Sequence, residues 1–172
     1  MRIAYIISAY KLPEQLVRLV QKLYKDGTSF LIHVDKKTDE GTYAKMTGPL
    51  RAYAHVHFLD RHVCYWGDFG HVRATLKGIQ RILRHDIPCD YVILLTGQDY
   101  PIKSNQHIHE VLEESQGQSF IHYFSLPCVR WSGNGGLDRI AYWHVNWHGR
   151  YFVFPQPDQF TLQLHKLFSG TH

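Results

Sequence analysis

Short apolar runs alternate along the chain with longer segments in which apolar residues recur every three or four positions. The runs "RIAYIISAY", "SFLIHVDKK", "AHVHFLD" and "DYVILLTGQD" are rich in branched and aromatic residues, which predicts buried strands. The segments "PEQLVRLVQKLYKDG", "FGHVRATLKGIQRILRHD" and "NQHIHEVLEES" have helical spacing, and Asn105 is expected to cap the third. A further strand is predicted for "SFIHYFSL".

This alternation of elements predicts the fold class. Strands and helices in this order indicate a three-layer α/β domain with a mainly parallel central sheet. The run "DYVILLTGQD" is almost entirely apolar, which is typical of a strand at the centre of such a sheet. After about residue 130 the pattern degrades into a segment rich in glycine and aromatic residues. We therefore expect a single domain over residues 1–172 that is cut short at its C-terminal end.

Composition and charge narrow the class of protein only moderately. The 172 residues are 44% hydrophobic and 20% charged, as in ordinary globular domains, and aromatic residues make up 14%. The formal charge of +4 suits a phosphate-bearing ligand or peripheral contact with an anionic membrane surface. No dense block of Lys and Arg indicates nucleic-acid binding.

The cysteines and the N-terminus indicate the compartment. Cys64, Cys89 and Cys128 are widely spaced and form no CxxC pair, so neither a zinc knuckle nor a disulfide framework is expected. The apolar run near Met1 is too short for a signal peptide or a membrane span. Reduced thiols and a cytoplasmic location are therefore expected.

Polar residues follow three of the predicted strands. Ser8 to Tyr10 come after the first strand, Asp35 after the second, and Gln98 and Asp99 after the fourth. In open α/β sheets ligands bind beyond the carboxyl ends of the strands, where an aspartate can accept hydrogen bonds from a ribose or a uracil. The chain contains neither GxxxxGK[ST] nor GxGxxG, which disfavours a phosphate-loop ATPase and a dinucleotide-binding site. The pattern favours a nucleotide-sugar site.

Each of these residues also has a purely structural interpretation. Asp35 could end a strand in a solvated turn, and Asp99 could cap the turn before Pro101. Trp66 and Gly67 could form a tight turn with a packed aromatic ring. Histidines such as His33 are expected to lie in strands with satisfied nitrogens, and no helical HxxxH pair indicates a metal site.

Taken together, several segments resemble the core-2/I-branching β-1,6-N-acetylglucosaminyltransferase family, which also includes the peptide O-xylosyltransferases. The resemblance depends on "AYIISAYK", "LIHVDKK", "YWGDFGHVRATLKGI", "DYVILLTGQDYPIKSNQHIHEVL", "GGLDRI" and "LFSG", in the family's order and over nearly the whole chain. It implies a GT-A type fold and inverting transfer of a sugar, with N-acetylglucosamine expected, from a UDP-sugar to a hydroxyl.

The resemblance also implies roles for individual residues. Asp35 would meet the uridine, and Trp66 or Gly67 would line the donor pocket. The donor-binding residues that it implies are Ser8, Tyr10, Asp35, Trp66, Gly67, Gln98 and Asp99. Gln98 stands where a metal-dependent relative would carry a further carboxylate, so metal-independent transfer without a cofactor is expected. The family's catalytic glutamate follows "FSG" by some tens of residues, so the catalytic residue is unknown here.

Two other functions stay open on the sequence alone. One is a non-catalytic nucleotide- or carbohydrate-binding module, and the other is a metal-dependent GT-A transferase, such as a xylosyltransferase-like enzyme, that uses Asp99. The resemblance implies a UDP-sugar and a glycan or glycolipid acceptor as partners. The expected location is the cytoplasm, including the inner face of the membrane.

Overall fold

A computed structural model describes residues 1–147 and 150–154 of the chain. The chain divides into two compact units, Met1–Ser119 and Phe120–His172. Within the described part, no helix combines the length and the apolar character needed to cross a membrane. All of the predicted donor-binding residues belong to the first unit.

The first unit is built on a parallel sheet of four strands in the order β3-β2-β1-β4. The strands are β1 (Ile3–Ala9), β2 (Thr28–Val34), β3 (Val56–Phe58) and β4 (Tyr91–Thr96). The helices are α1 (Pro13–Leu23), α2 (Glu40–Thr47), α3 (Gly70–Arg84) and α4 (Asn105–Glu114), and a 3-10 turn at Gly48–Leu50 follows α2. Ser8 lies between His33 of β2 and Thr96 of β4 in the register, so the carboxyl ends of these strands share one edge.

Helices pack on both faces of this sheet, which confirms the predicted α/β class. On one face α1, α2 and α4 pack against alternate residues of β1 and β2 in a core of buried side chains that includes Ile7, Leu16, Leu19, Phe30, Ile32, Met46 and Leu112. On the other face Ile82 of α3 joins Ala4, Ile6 and Leu31. A Cβ at Gly78 would lie 2.7 Å from Ile6 Cγ2, so α3 approaches β1 closely only because residue 78 is glycine.

The structure corrects several predictions of elements. Helix α2 was not predicted, and the strand predicted for "SFIHYFSL" is absent from these described residues. Ser104, rather than Asn105, caps α4, because its hydroxyl accepts a hydrogen bond from the His107 amide at 3.2 Å. The apolar run of β4 forms the end of the four-stranded sheet rather than its centre, and Leu94 is 56% exposed.

The second unit contains the short helix α5 (Asp138–Ala141) and an antiparallel hairpin of β5 (Trp143–Trp147) and β6 (Arg150–Phe154). The sequence pattern predicts no regular element after about residue 130, so α5, β5 and β6 are additions to it. The guanidinium of Arg139 lies 4.3 Å from the centre of the Trp131 ring. Gly136 has φ of +90°, and a Cβ there would lie 2.3 Å from the same ring, so this turn requires glycine. The motif "LFSG" lies outside the described residues.

Candidate functional site

Backbone hydrogen bonds hold the carboxyl ends of β1, β2 and β4 together. The Asp35 amide donates to the Ala9 carbonyl at 2.9 Å, and the Gly97 amide donates to the Ser8 carbonyl at 2.8 Å. The chain leaves β1 for β2 through α1 on one face and reaches β4 from β3 through α3 on the other. The point between β1 and β4 is therefore the place where an open α/β sheet binds its ligand.

Asp35 lies directly after β2 and is nearly buried, with 7% of the residue exposed. Its Oδ1 accepts a hydrogen bond from the Lys37 amide at 2.8 Å, and its Oδ2 lies 3.6 Å from the Lys37 ammonium. Its own carbonyl accepts a bond from the Thr38 amide at 3.0 Å, which closes a turn. The carboxylate is therefore held in one position, and the paired cation stabilises its charge next to the sheet edge.

Trp66 and Gly67 occupy the centre of a turn that the Tyr65 carbonyl and the Asp68 amide close at 3.3 Å. Gly67 has φ of +74°, which favours glycine at this position of the turn. The Asp68 carboxylate accepts bonds from the amides of Tyr65 and Gly70 and fixes the turn to the start of α3. Trp66 is 89% exposed, so its indole is a free apolar surface and not the packed ring of the structural interpretation.

Lys37 connects this turn to Asp35. Its ammonium lies 4.6 Å from the centre of the Tyr65 ring while it pairs with Asp35. The strand-end aspartate and the turn that carries Trp66 therefore share one cation. The sequence analysis assigned no role to Lys37 or Tyr65, and no spacing rule indicates the contact, because the two residues come from separate loops.

Tyr10, Lys11 and Gln98 form a second group, at the ends of β1 and β4. The pKa of the Tyr10 phenol is below its ordinary value, chiefly because the Lys11 side chain stabilises the phenolate, with a smaller contribution from the Gln98 side chain. The Tyr10 carbonyl accepts a hydrogen bond from the Thr38 hydroxyl at 3.0 Å, which ties this group to the loop after β2. The predicted residues Tyr10 and Gln98 are therefore brought together.

Asp99 caps its own turn. Its Oδ2 accepts a hydrogen bond from the Thr96 amide at 2.7 Å, and its amide donates to the Thr96 carbonyl at 3.1 Å. The residue also lines a cavity of about 200 Å³ whose other walls, between α1, β4 and α4, are mostly apolar. This geometry matches the structural interpretation of Asp99, and it leaves the predicted role in donor binding untested.

Arg61 holds the loop after β2 in place. Its guanidinium donates to the carbonyls of Asp35 and Lys36 at 3.3 Å and of Thr38 at 2.5 Å, and it pairs with the Glu40 carboxylate at 2.7 Å. Its side chain is 15% exposed. Arg61 is not predictable from the sequence, because an arginine that binds backbone carbonyls leaves no motif.

Two histidine rings and a thiol lie beneath this loop. His33 is fully buried, and its Nε2 accepts a hydrogen bond from the His62 amide at 3.2 Å. Its Nδ1 has no partner among the described residues, so the expectation of satisfied nitrogens is wrong for His33. Burial lowers the pKa of His33 to about 4, with a further contribution from His62. Burial raises the pKa of the Cys64 thiol to about 11, with contributions from Asp35 and Asp68.

The family assignment follows from comparison with known proteins. The sequence model of the Core-2/I-Branching enzyme family matches residues 3–161. The chain therefore belongs to the Core-2/I-branching enzyme family. This confirms the resemblance on which the donor-site prediction depends.

Individual relatives include glycosyltransferases with different sugars. The chain is 28% identical over 144 residues to Xylosyltransferase 2 of Canis lupus familiaris, which covers 81% of this chain and 16% of that protein. It is 23% identical over 143 residues to beta-1,3-galactosyl-O-glycosyl-glycoprotein beta-1,6-N-acetylglucosaminyltransferase 4 of Mus musculus, covering 83% of this chain and 30% of that protein. The matched region is thus less than a third of the length of each of these relatives.

Proposed function

We propose that this chain provides the donor-binding part of an inverting glycosyltransferase that moves a sugar from a UDP-sugar to a hydroxyl of a glycan or glycolipid acceptor. The observation that carries the proposal is the meeting of Asp35, the Trp66–Gly67 turn, and the Tyr10–Gln98 pair at one edge of a parallel sheet. Family membership and the names of the relatives favour this reaction over the other ligands that such an edge could bind.

Each group has a proposed role in donor binding. Asp35 accepts a hydrogen bond from the uridine through the oxygen that now lies 3.6 Å from Lys37, because that oxygen carries only the weaker of its two contacts. The exposed Trp66 indole stacks on an apolar face of the donor, and Gly67 leaves room for it. Ser8, Tyr10 and Gln98 line the opposite side of the pocket.

We propose that diphosphate binding needs no metal ion. Asp99 already uses one carboxylate oxygen in its own turn, and its neighbour is the uncharged Gln98, so the pair offers a divalent cation few ligands. Lys11 and Lys37 supply positive charge at the same edge of the sheet. No catalytic base is assigned to any residue of this chain, and we propose a cytoplasmic enzyme that contacts the inner face of the membrane.

Calorimetric titration of the full chain with UDP, UDP-N-acetylglucosamine and UDP-xylose tests the proposal, with each titration run in EDTA and again in Mn²⁺. We expect UDP to bind in EDTA with an affinity that Mn²⁺ leaves unchanged, and the N-acetylglucosamine donor to bind more tightly than the xylose donor. Binding that requires Mn²⁺ would favour the metal-dependent alternative.

The same titration addresses the remaining alternative. A binding module without catalytic function would bind free sugars or UDP without preferring an intact UDP-sugar, and it would support no donor hydrolysis in any natural chain that includes this region. If none of the UDP compounds binds, the proposed function is wrong.

A further inference from the structure

We propose that His33, His62 and Cys64 form a binding site for a soft divalent cation, with Zn²⁺ as the expected ion. A nitrogen of each histidine and the Cys64 Sγ lie within 4.8 Å of one another. His33 comes from the end of β2, and the other two come from the loop before α3. Metal binding at these residues does not require a sugar donor.

Unpartnered nitrogens are the first observation that points to a ligand here. The Nδ1 atoms of His33 and His62 are both buried without a hydrogen-bond partner in the described part of the chain. The two rings lie with their centres 4.1 Å apart. A buried polar atom that lacks a partner destabilises the fold, so two of them on neighbouring rings indicate a common ligand.

The tautomer of His62 favours metal binding. Its Nε2 lies 2.8 Å from the Gly70 carbonyl, which can only accept a hydrogen bond, so Nε2 carries the proton. Nδ1 therefore carries a lone pair, and this atom is buried without a hydrogen-bond partner among the described residues. Metal-binding histidines commonly donate their other ring N–H to a backbone carbonyl in this way, which fixes the ring orientation.

Metal binding through His33 breaks one hydrogen bond of its ring. Its Nε2 accepts the 3.2 Å bond from the His62 amide, so the proton of the metal-free ring lies on Nδ1. Ligation through Nδ1 moves this proton to Nε2 and breaks that bond. The bond is longer than the usual N–H···N or N–H···O distance, so the loss is modest compared with that of a metal–nitrogen bond.

Charge and size also fit Zn²⁺. The Cys64 thiol releases its proton to solvent as the Zn–S bond forms, and the thiolate together with the nearby Asp35 carboxylate offsets the charge of the ion. Lys77 is a cation near His33, but its ammonium donates to the Asp60 carbonyl at 2.8 Å.

In a tetrahedral site the ligand atoms lie about 3.3–3.8 Å apart, so the loop that carries His62 and Cys64 must move inward by about 1 Å. Water would occupy the fourth position.

We expect a bound metal ion to link β2 to the loop that precedes α3. This loop carries Arg61, and its His62 carbonyl accepts a hydrogen bond from the Lys36 amide at 3.1 Å. No sequence motif indicates this site, because His33 and His62 are 29 residues apart and match no metal-ligand spacing.

Cobalt substitution tests the proposal on the full chain, first treated with chelator and then titrated with Co²⁺ and Zn²⁺. We expect one equivalent of Co²⁺ to give the intense visible bands of a tetrahedral site and a thiolate-to-metal band in the near ultraviolet. Zn²⁺ should displace both. Competition with a chromogenic chelator should show that Cys64→Ser weakens Zn²⁺ binding at least tenfold, whereas Cys89→Ser, a matched cysteine outside the cluster, leaves it unchanged.

His62→Gln provides a second variant in case Cys64→Ser does not fold, and it should keep the thiolate band but lose at least tenfold in affinity. The proposal is overturned if the wild-type chain binds no stoichiometric metal. It is equally overturned if Cys64→Ser keeps the thiolate band, or if His62→Gln binds Zn²⁺ as tightly as the wild type. None of these readouts involves UDP, so they are independent of the proposed function.

Discussion

Asp35 and Asp99 both follow an apolar strand, yet the structure gives them different surroundings. Asp35 follows β2, which has a neighbouring strand on each side, and only 7% of the residue is exposed. Asp99 follows β4, which lies at the end of the four-stranded sheet, and it is exposed. The same pattern in the sequence therefore produces one aspartate that other segments surround and one that lies in a solvated turn.

The two carboxylates also have different partners. Residues from outside its own turn hold the Asp35 turn in position. Arg61 donates hydrogen bonds to carbonyls of the turn, and the Tyr65 ring contacts the Lys37 ammonium. The Asp99 carboxylate binds the amide of Thr96, only three residues away. A side chain that distant segments position is suited to recognising a ligand, because its orientation is fixed before binding.

The largest expected effect separates the two aspartates in UDP binding. Asp35→Ala should weaken UDP binding by roughly 1.5–3 kcal/mol, or about 10- to 150-fold, because it removes a charged hydrogen-bond acceptor from the pocket. Asp99→Ala should weaken it by less than about fivefold, since one of its oxygens already serves the turn. Calorimetry on both variants measures the difference.

Asp35→Asn is the matched control for this experiment, because it keeps the shape and one acceptor oxygen while removing the charge. We expect an affinity between those of the wild type and Asp35→Ala. Equal losses for Asp35→Ala and Asp99→Ala would mean that burial does not distinguish the two residues, and an unchanged affinity in Asp35→Ala would reduce Asp35 to a turn residue.

A smaller effect is expected on stability when Arg61, which holds the Asp35 turn in position, is removed. Arg61→Ala should lower the free energy of unfolding by about 2 kcal/mol, because it leaves the carbonyls of Asp35 and Thr38 without this donor. The Glu40 carboxylate is 82% exposed, so its ion pair adds little to this sum. Urea unfolding followed by circular dichroism gives the difference.

Arg51→Ala is the control, because Arg51 is an exposed arginine whose loss should change stability by less than about 0.5 kcal/mol. If Arg61→Ala is as stable as this control, the loop after β2 does not depend on the hydrogen bonds from Arg61. Arg61→Lys should give an intermediate loss, since a single ammonium cannot bind several carbonyls in the fork geometry of a guanidinium.

The sequence predicted the strands of the first unit well, because each is a compact apolar run closed by polar or turn residues. It also predicted which residues would lie at the carboxyl ends, since that position follows from the parallel α/β order alone. Asp35, Tyr10 and Gln98 do lie at one edge of the sheet, and their roles in donor binding stay predictions.

Strand order and helix cover could not be predicted in the same way. Periodicity is a local property, whereas the position of β4 beside β1 depends on which segments meet in three dimensions. Apolar residues of α3 and of one face of β4 are exposed, so an apolar pattern did not guarantee burial. The exposed side chains are Val72, Leu76, Ile79, Leu83, Val92 and Leu94. Arg61 and the His33–His62–Cys64 cluster were missed for the same reason, because each joins separate segments.

The smallest expected effect concerns the group at the ends of β1 and β4. Lys11 and Gln98 both lower the pKa of the Tyr10 phenol, because their side chains favour the phenolate. Removing either partner must therefore raise this pKa towards its ordinary value near 10. Lys11→Met should raise it more than Gln98→Ala does, since Lys11 contributes both a hydrogen bond and a positive charge.

Carbon-13 NMR of the chain with labelled tyrosine ring carbons measures this pKa, and Tyr10→Phe assigns the signal among the 11 tyrosines. Lys36→Met controls for the general loss of a positive charge near the sheet edge, and it should leave the titration of Tyr10 unchanged. A titration that shifts with Lys11→Met but not with Gln98→Ala would show that the ends of β1 and β4 do not share a pocket. The proposed donor site would then be confined to Asp35 and the turn that carries Trp66. These are the residues at the sheet edge that contacts with distant segments, such as those of Arg61, hold in position.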